Sequence, residues 1–296
     1  MSYIKLRHRG DRIGNNIINY IAQINYADKR NYAIMYDINQ VKYNDSIFIR
    51  FLIDIIDILN KNKICVNECF NPASIYGPGD GDMNDILSTI VKEIGMDIHT
   101  YFKTNFLNKY IHIFDKYAEK YINNFDINNT VIIHLRFADI GQNINDWPDY
   151  HGSVCGNYYK NLINNDERCK YTNLMNNHYN KQSPLSPTKI NNIVDKIISK
   201  YPTDKIIIIV NPEIKKLPIF NFEYELIQND DYNLDLVLMT KCKKIVLSRS
   251  MFSVSSLFFG LHDDIYMPLW GHFVCCGFDT KYDNTKNNNT TFNYFY

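Results

Sequence analysis

The stretch Thr130–Leu135 reads Thr-Val-Ile-Ile-His-Leu, and it decides the fold of the chain. Most of its side chains are branched and apolar, and polar residues flank the run on both sides. This pattern is typical of a strand buried on both faces of a parallel sheet. Two more runs of the same kind follow, at Lys205–Val210 and Lys244–Ser248. The long segments between these runs leave room for the crossover connections that parallel strands need.

Helical patterns lie around these strands. Ile190–Lys200 carries apolar residues at spacings of three and four, and Asp235–Cys242 is a second helical segment. Ile47–Leu59 is mostly apolar, with its charged residues confined to one narrow stripe. Strands that alternate with helices predict βαβ units, so the chain belongs to the α/β class with a doubly wound parallel sheet.

The length of 296 residues predicts two domains. A polar stretch at 123–129 precedes the first buried strand and marks the expected boundary. We therefore predict an N-terminal Rossmann-like domain at 1–126 and a C-terminal Rossmann-like domain at 127–278. The parallel sheets of both would face a central cleft. Residues 279–296 are rich in Asn and Thr and are predicted to form a loosely held tail.

Composition excludes several classes of protein. Lys and Arg total 32 and Asp and Glu total 32, so the formal net charge is zero, which argues against a nucleic-acid-binding protein. The seven cysteines are odd in number, which argues against a disulfide framework. No segment is apolar enough for a signal peptide or a transmembrane helix. These features predict a soluble, cytoplasmic protein.

The first candidate motif closes the strand at 130–135 and contains His134, Arg136 and Asp139. Charged groups at the carboxyl end of a buried strand need partners. An arginine at this place can bind a diphosphate through two parallel hydrogen bonds. The alternative is an Arg–Asp ion pair that only ends the strand, and spacing alone does not separate the two interpretations.

The second candidate motif is Ser248–Ser256, which precedes the apolar helical stretch Leu257–Phe259. Ser250 or Ser253 would cap that helix, and the free amides at its start could bind an anion. Taken alone, an ordinary serine-rich helix cap is the favoured interpretation.

The third candidate motif is Arg9–Asn16, in which glycines precede a helix. Glycine permits close approach of the backbone to a ligand, but the spacing is not that of a dinucleotide fingerprint. A tight turn between strand and helix is the favoured interpretation. The acidic stretch Asp80–Asp85 is interpreted as a solvated turn, and no metal site is predicted.

Six segments in a fixed order carry a resemblance to a known family: Ile13–Ala22, His134–Asp139, His151–Tyr159, Asp235–Cys242, Ser248–Ser253 and Pro268–Trp270. In the same order, these segments are similar to six elements of the α-1,2-fucosyltransferases. The elements are the Gly-Asn-Gln element, the His-x-Arg-Arg-x-Asp motif, the His-Gly…Cys…Tyr-Tyr stretch, the Asp-Leu-x-Leu-Met helix, the Ser-x-Ser-x-Phe-Ser motif and the Pro-x-x-Trp ending. The chain therefore resembles glycosyltransferase family 11 over about residues 4–275.

The resemblance implies a two-domain GT-B glycosyltransferase that inverts the anomeric centre and needs no metal or other cofactor. It would transfer L-fucose from GDP-β-L-fucose to a hydroxyl group of a glycan acceptor, such as the 2-OH of galactose. Arg136 would hold the diphosphate, and His134 and Asp139 would shape the donor site. The remaining implied donor-site residues are Gly14, Asn15 and Asn16 from the first domain and Asp235, Ser248, Ser250, Phe252 and Ser253 from the second.

Departures from the family motifs keep other functions open. The second Arg of the His-x-Arg-Arg-x-Asp motif is Phe137 here, and the paired tryptophans after the serine motif are Val254 and Ser255. A related GT-B enzyme with another nucleotide sugar, or a non-catalytic protein that binds a nucleotide or glycan, remains an alternative. The catalytic base is not identified, and Asp139 and Asp11 are the candidates.

Overall fold

The computed structural model describes residues 2–8, 12–61, 63, 68–69, 98–122, 125–136, 185, 187–212, 214, 217–268 and 290–295. The described residues form two compact units, and the division along this part of the chain falls between Asn123 and Asn124. The sequence analysis placed this boundary after residue 126. Both units consist of parallel strands and helices, so the predicted α/β class is confirmed, while the GT-B pairing of the units stays a prediction.

The N-terminal unit is built on a three-stranded parallel sheet. Its strands β1 (Ser2–Lys5), β2 (Ala33–Met35) and β3 (Glu68–Cys69) lie in the order β2-β1-β3. Helix α1 (Ile13–Lys29) joins β1 to β2, and α2 (Ile47–Lys61) precedes β3. The second and third strands thus lie on opposite sides of the first, as in doubly wound sheets.

Aromatic side chains hold the helices of this unit together. The remaining elements are a 3-10 turn (Ile38–Gln40), α3 (Ile98–Phe102), a π-helical turn (Lys103–Leu107) and α4 (Asn108–Ile122). The Phe114 ring of α4 lies 5.0 Å from the Phe48 ring and 5.6 Å from the Phe51 ring of α2, measured between centroids. Such tilted and edge-on pairs stabilise a core by about 0.5–1.5 kcal/mol beyond the burial of their area.

The C-terminal unit is built on a six-stranded sheet in which all pairs of neighbouring strands are parallel. Its elements are β4 (Thr130–Leu135), α5 (Pro187–Lys200), β5 (Lys205–Val210), β6 (Glu225–Ile227), α6 (Tyr232–Lys241), β7 (Lys244–Val246), α7 (Met251–Ser256), β8 (Asp264–Pro268) and β9 (Thr291–Phe295). The strand order is β6-β5-β4-β7-β8-β9. Counted from β4, this order is 3-2-1-4-5-6, which is the Rossmann arrangement.

The two faces of β4 pack against different parts of the unit. Val131 and Ile133 belong to a buried cluster that includes Ile190 and Val194 of α5, so one face of the strand packs on that helix. Successive side chains of a strand point to opposite faces. The side chain of His134 therefore lies on the face away from α5.

Most elements match their predicted positions. β4 and β5 have the predicted bounds, whereas β7 ends at Val246 instead of Ser248. The strand is short because the Ser250 amide donates to the Ser248 carbonyl at 2.8 Å, which turns the chain away from the sheet. The following helix covers Met251–Ser256 and not the predicted stretch Leu257–Phe259, because Ser250 starts it early as the N-cap.

The last part of the predicted tail at 279–296 forms a strand. Thr291–Phe295 forms the edge strand β9 and pairs in parallel with β8. This stretch contains three aromatic residues, which favour strands, and its first amide donates to the carbonyl of Asp263 at 2.6 Å. Residues 279–289 lie outside the described part of the chain.

No helix in the described residues combines the length and the apolar character that crossing a membrane requires.

Candidate functional site

The carboxyl ends of β4 and β7 lie side by side at the point where the strand order reverses. β5 borders β4 on one side and β7 borders it on the other. Connections that leave such a point in opposite directions open a crevice, and α/β sheets bind their ligands there. His134 and Arg136 stand at the end of β4, and Ser248–Ser253 follows β7. The structure thus brings the first and second candidate motifs to one edge of one sheet.

A chain of buried hydroxyl groups holds His134. Its Nδ1 lies 2.6 Å from Oγ of Ser248, and that oxygen lies 3.3 Å from Oγ of Ser253. Ser253 Oγ also donates to the backbone carbonyls of Ser248 at 3.3 Å and Ser250 at 3.1 Å. The Ser253 side chain has no exposed surface. The hydroxyl groups of Ser248 and Ser253 therefore orient the imidazole from within, and their predicted contact with a nucleotide stays a prediction.

Ser250 and Phe252 form the rim of this cluster. Ser250 is the N-cap of α7, and its Oγ accepts a hydrogen bond from the Phe252 amide at 3.2 Å. The Phe252 ring lies 5.5 Å from the His134 ring between centroids. α7 has only six residues, and Ser250 already satisfies one amide of its first turn. The predicted anion site at the start of this helix therefore has fewer free amides than a long uncapped helix would offer.

Arg136 joins the two motifs directly. Its Nη1 donates to the backbone carbonyl of Arg249 at 3.2 Å, across 113 positions of sequence. The acceptor is a neutral carbonyl group, so this bond fixes the guanidinium without cancelling its charge. Arg136 is half-buried.

Asp235 belongs to the next helix. It lies in the first turn of α6, and its Oδ1 accepts a hydrogen bond from Asn229 Nδ2 at 3.2 Å. Burial raises the pKa of Asp235 to about 7; the Asn229 hydrogen bond lowers this pKa, and the neighbouring Asp231 carboxylate raises it. α6 packs against α7, so Asp235 sits on the helix beside the one that carries Ser253.

The predicted residues Gly14, Asn15 and Asn16 lie in the first turns of α1 in the N-terminal unit. Gly14 and Asn16 are buried, and Asn16 Nδ2 donates to the backbone carbonyl of Arg12 at 3.2 Å. The start of α1 has no side-chain cap from Arg12. The predicted reach of these residues into a cleft stays a prediction.

Two further side chains of α1 fix the loop that follows β1. Asn19 Nδ2 and Gln23 Nε2 each donate to the Arg7 carbonyl at 2.8 Å, and Gln23 Oε1 accepts from the Arg7 amide at 2.9 Å. This clamp was not predicted, although two buried amide side chains four positions apart on an apolar helix were a usable signal.

Several predicted residues lie outside the described residues, among them Asp139, Asp11 and the acidic stretch Asp80–Asp85. Within the described ranges, no group of three or more His, Cys, Asp or Glu side chains could hold a metal ion. The predicted absence of a metal stays a prediction.

Arg249 is a buried residue of this cluster that was not among the predicted site residues. It stands between Ser248 and the N-cap Ser250, and only 7% of its surface is exposed. Its backbone carbonyl is the acceptor for Arg136. The available signal was an arginine in a serine-rich segment directly after a buried strand, because a cation there needs an anionic partner.

The cluster places a guanidinium and an imidazole together at the carboxyl end of β4. Arg136 supplies a guanidinium whose planar set of donors matches the oxygens of a phosphate or carboxylate. His134 lies within the same crevice, and its ring orientation is set by Ser248. Comparisons with protein-family models, with curated proteins and with solved structures each find no match.

Proposed function

We propose that this protein is an inverting glycosyltransferase that uses a nucleoside diphosphate sugar. GDP-β-L-fucose is the favoured donor, and a hydroxyl group of a glycan is the acceptor. The donor would bind at the crevice between the ends of β4 and β7. No cofactor is required in this proposal, and the nucleotide sugar and the acceptor are the two substrates.

One observation carries the proposal. The His134–Asp139 and Ser248–Ser253 segments resemble two motifs of the fucosyltransferase family, and Arg136 Nη1 bonds to the Arg249 carbonyl at 3.2 Å. Two segments that lie more than 100 residues apart in the sequence are thus in contact at the reversal point of a 3-2-1-4-5-6 sheet. A chance resemblance would not require these segments to meet at the edge where such sheets bind nucleotides.

The chemistry gives Arg136 a definite task. As the bond between the sugar and the diphosphate breaks, negative charge grows on the leaving group. A fixed guanidinium stabilises that charge, and the loss of one such preorganised donor typically costs about 3–4 kcal/mol of transition-state stabilisation. The Arg249 carbonyl keeps the guanidinium in place before the donor binds, so little reorganisation is needed.

A different donor sugar is the second candidate, and a structural observation favours it. Val254 and Ser255 stand where the family has paired tryptophans, and both side chains are fully buried. Neither position offers an aromatic surface to a ligand. The pocket around the sugar or the base therefore differs from that of the family, which makes UDP- and ADP-sugars necessary members of any donor screen.

The test begins with donor binding. Thermal unfolding is followed in the presence of GDP-fucose and of other nucleotide sugars, since a ligand at 100 times its dissociation constant adds about 2.7 kcal/mol to the free energy of unfolding. Donors that bind are then incubated with a panel of galactosides, and transfer is measured by mass spectrometry with and without a chelator.

The variant Arg136→Ala is expected to lower turnover about 100- to 1,000-fold while the melting temperature stays close to that of the wild type. Lys205→Gln is the control, because it removes one exposed positive charge at the other end of the sheet. Nucleotide binding without transfer to any acceptor would favour the non-catalytic alternative. Absence of both binding and transfer would remove the proposal.

A further inference from the structure

We propose that the N-terminal unit contains a second binding site, which holds one sugar ring in a small pocket lined by α2, α4 and the 3-10 turn at Ile38–Gln40. The choice of a saccharide rests on the proposed function, which makes a glycan the acceptor. The polarity of the pocket does not depend on that function and can be tested separately.

The apolar part of this pocket comes from three isoleucines. Ile49 and Ile53 of α2 line it with buried side chains, and Ile38 of the 3-10 turn lines it with a side chain that is 49% exposed. The volume of the pocket is about 120 Å³. Sites for drug-sized ligands typically have about 300–1,000 Å³. The pocket therefore fits one small ring rather than a whole nucleotide sugar.

An arginine and an aspartate line the same pocket without pairing with each other. Arg50 and Asp54 lie four positions apart on α2, a spacing at which opposite charges often meet. Instead, Arg50 Nε donates to the Asn44 carbonyl at 3.0 Å, and Asp54 Oδ2 accepts from the Tyr117 hydroxyl at 2.9 Å. In the described part of the chain, neither side chain makes another hydrogen bond or an ion pair. A separate contact thus holds each charge in place.

These contacts leave donors and an acceptor available to a ligand. A guanidinium has five N–H donors, and the contact with Asn44 uses only the one on Nε of Arg50. The contact of Asp54 with Tyr117 uses Oδ2 and leaves Oδ1. Burial and the bond to Asp54 raise the pKa of Tyr117, and the charge of Arg50 lowers this pKa. The guanidinium therefore lies within electrostatic range of the Tyr117 oxygen, which also lines the pocket.

The donors and the acceptor define the chemistry of the ligand. One cation and one anion in the same pocket favour a ligand that is neutral overall and that both accepts and donates hydrogen bonds. Neighbouring hydroxyl groups of a sugar do both, since one can accept from Arg50 while the other donates to Asp54. The C–H groups of the ring can contact the isoleucines. An amino-acid zwitterion has matching charges, but Arg50 is exposed, so water screens an ion pair there.

The experiment measures binding to the full chain by ligand-observed NMR titration. The probes are lactose, galactose, fucose, glucose and N-acetylglucosamine, with L-leucine as the zwitterion. At least one sugar should bind with a dissociation constant of about 1–10 mM, and L-leucine should not bind. Arg50→Gln and Asp54→Ala should each weaken sugar binding about fivefold or more, because each removes a charged hydrogen-bonding group.

The same helix supplies matched controls. Asp57 Oδ1 accepts a hydrogen bond from the Tyr36 hydroxyl at 2.7 Å, as Asp54 does from Tyr117, but Asp57 does not line the pocket. Asp57→Ala is therefore the control for Asp54→Ala, and Lys61→Gln in the last turn of α2 is the control for Arg50→Gln. Both controls should change sugar affinity less than twofold. Circular dichroism establishes that each variant is folded, and the exposed Arg50 decides if Asp54→Ala is not.

The outcomes separate this inference from the proposed function. The inference is overturned if no sugar of the panel binds, if L-leucine binds in their place, or if Arg50→Gln and Lys61→Gln bind the sugar equally well. Sugar binding that depends on Arg50 and Asp54, without transfer from any nucleotide sugar, supports the inference and counts against the proposed function. Transfer to a glycan without such binding gives the reverse result.

Discussion

The amino ends of the strands in the six-stranded sheet (the amino edge) and their carboxyl ends (the carboxyl edge) differ in the contacts that their charged side chains make. At the amino edge, Lys244 Nζ lies 2.5 Å from Oδ2 of Asp204, and Lys200 Nζ donates to Oδ2 of Asp264 at 2.6 Å. The Lys244 ammonium also donates to the Asn128 carbonyl at 2.9 Å. Each lysine there faces a carboxylate.

At the carboxyl edge, the structure shows hydrogen bonds from the site residues to neutral groups. Arg136 donates to a backbone carbonyl, and the imidazole of His134 bonds to a serine hydroxyl. A carboxylate partner cancels the charge of a cation, whereas a carbonyl or hydroxyl group fixes its position and leaves the charge in place. The contacts seen at the two edges therefore differ in kind: ion pairs at the amino ends of the strands, and hydrogen bonds to a carbonyl and a hydroxyl group at their carboxyl ends.

The largest expected effect is at the amino edge. The side chains of Lys244 and Asp204 are 8% and 6% exposed, so Lys244→Met would leave a buried carboxylate without its cation. Such changes typically destabilise by about 3–5 kcal/mol. Urea unfolding measures the loss, and nucleotide affinity of the folded variant should equal that of the wild type. A loss below about 1 kcal/mol, or weakened nucleotide binding, would break the distinction between the edges.

The second effect is at the carboxyl edge. Ser248→Ala removes the hydroxyl beside His134 Nδ1 and beside Ser253 Oγ, which leaves buried polar groups without this partner. The expected loss of stability is about 1–3 kcal/mol, measured by urea unfolding, and transfer activity should also fall as the imidazole loses its orientation. Ser199→Ala is the matched control, because its exposed hydroxyl bonds only to the Asp195 carbonyl of its own helix. Equal effects of the two serine variants would contradict the role assigned to Ser248.

The third effect depends on pH. Burial raises the pKa of Asp235 from 3.8 to about 7, so the folded protein keeps a proton there that the unfolded chain releases. The stability associated with this group is therefore complete below about pH 4, falls as the pH rises towards 7 and is constant above it. Asp235→Asn should match the wild type near pH 4 and have a larger free energy of unfolding than the wild type at pH 8, with the difference appearing between about pH 4 and pH 7. Urea unfolding at both pH values measures this difference, and a difference independent of pH would contradict the assignment.

The smallest expected effect comes from an exposed ion pair at the amino edge, which can be compared with the buried pair of Lys244 and Asp204. Lys205 at the start of β5 forms an ion pair with Glu225, but these side chains are 57% and 44% exposed. Exposed pairs contribute little because water and salt screen them. Lys205→Met should therefore change the free energy of unfolding by less than about 1 kcal/mol. Thermal unfolding of this variant beside Lys244→Met separates the effect of burial from that of charge.

The sequence was sufficient for strands whose residues are mostly apolar and branched. β4 and β5 are of this kind, and their bounds agree with the prediction. The edge strand β9 was missed because its polar and aromatic residues have no continuous apolar pattern. Its place depends on pairing with β8, which a local pattern does not contain.

The motifs were also identified from the sequence, but not the partners of their side chains. Ser248 is the partner of His134, which lies 114 positions earlier, and its predicted contact with a nucleotide stays a prediction. The bond from Arg136 to the Arg249 carbonyl was not predicted, because it depends on the neighbouring strand end. Such pairings follow from strand order, and strand order is a property of the whole unit.

The central place of β4 also has a consequence for how the chain folds. β4 comes first among the strands of its unit, but both strands that pair with it come much later in the sequence. Thr130 pairs with Lys205 of β5, and Val131 pairs with Lys244 of β7. The ribosome adds roughly 5–20 residues per second, so β4 is synthesised several seconds before either of its partner strands and is unpaired during that time. The contact order of this unit is therefore high, and we expect it to fold slowly. We also expect β4, the strand that carries His134, to be the segment of the nascent chain most prone to aggregation.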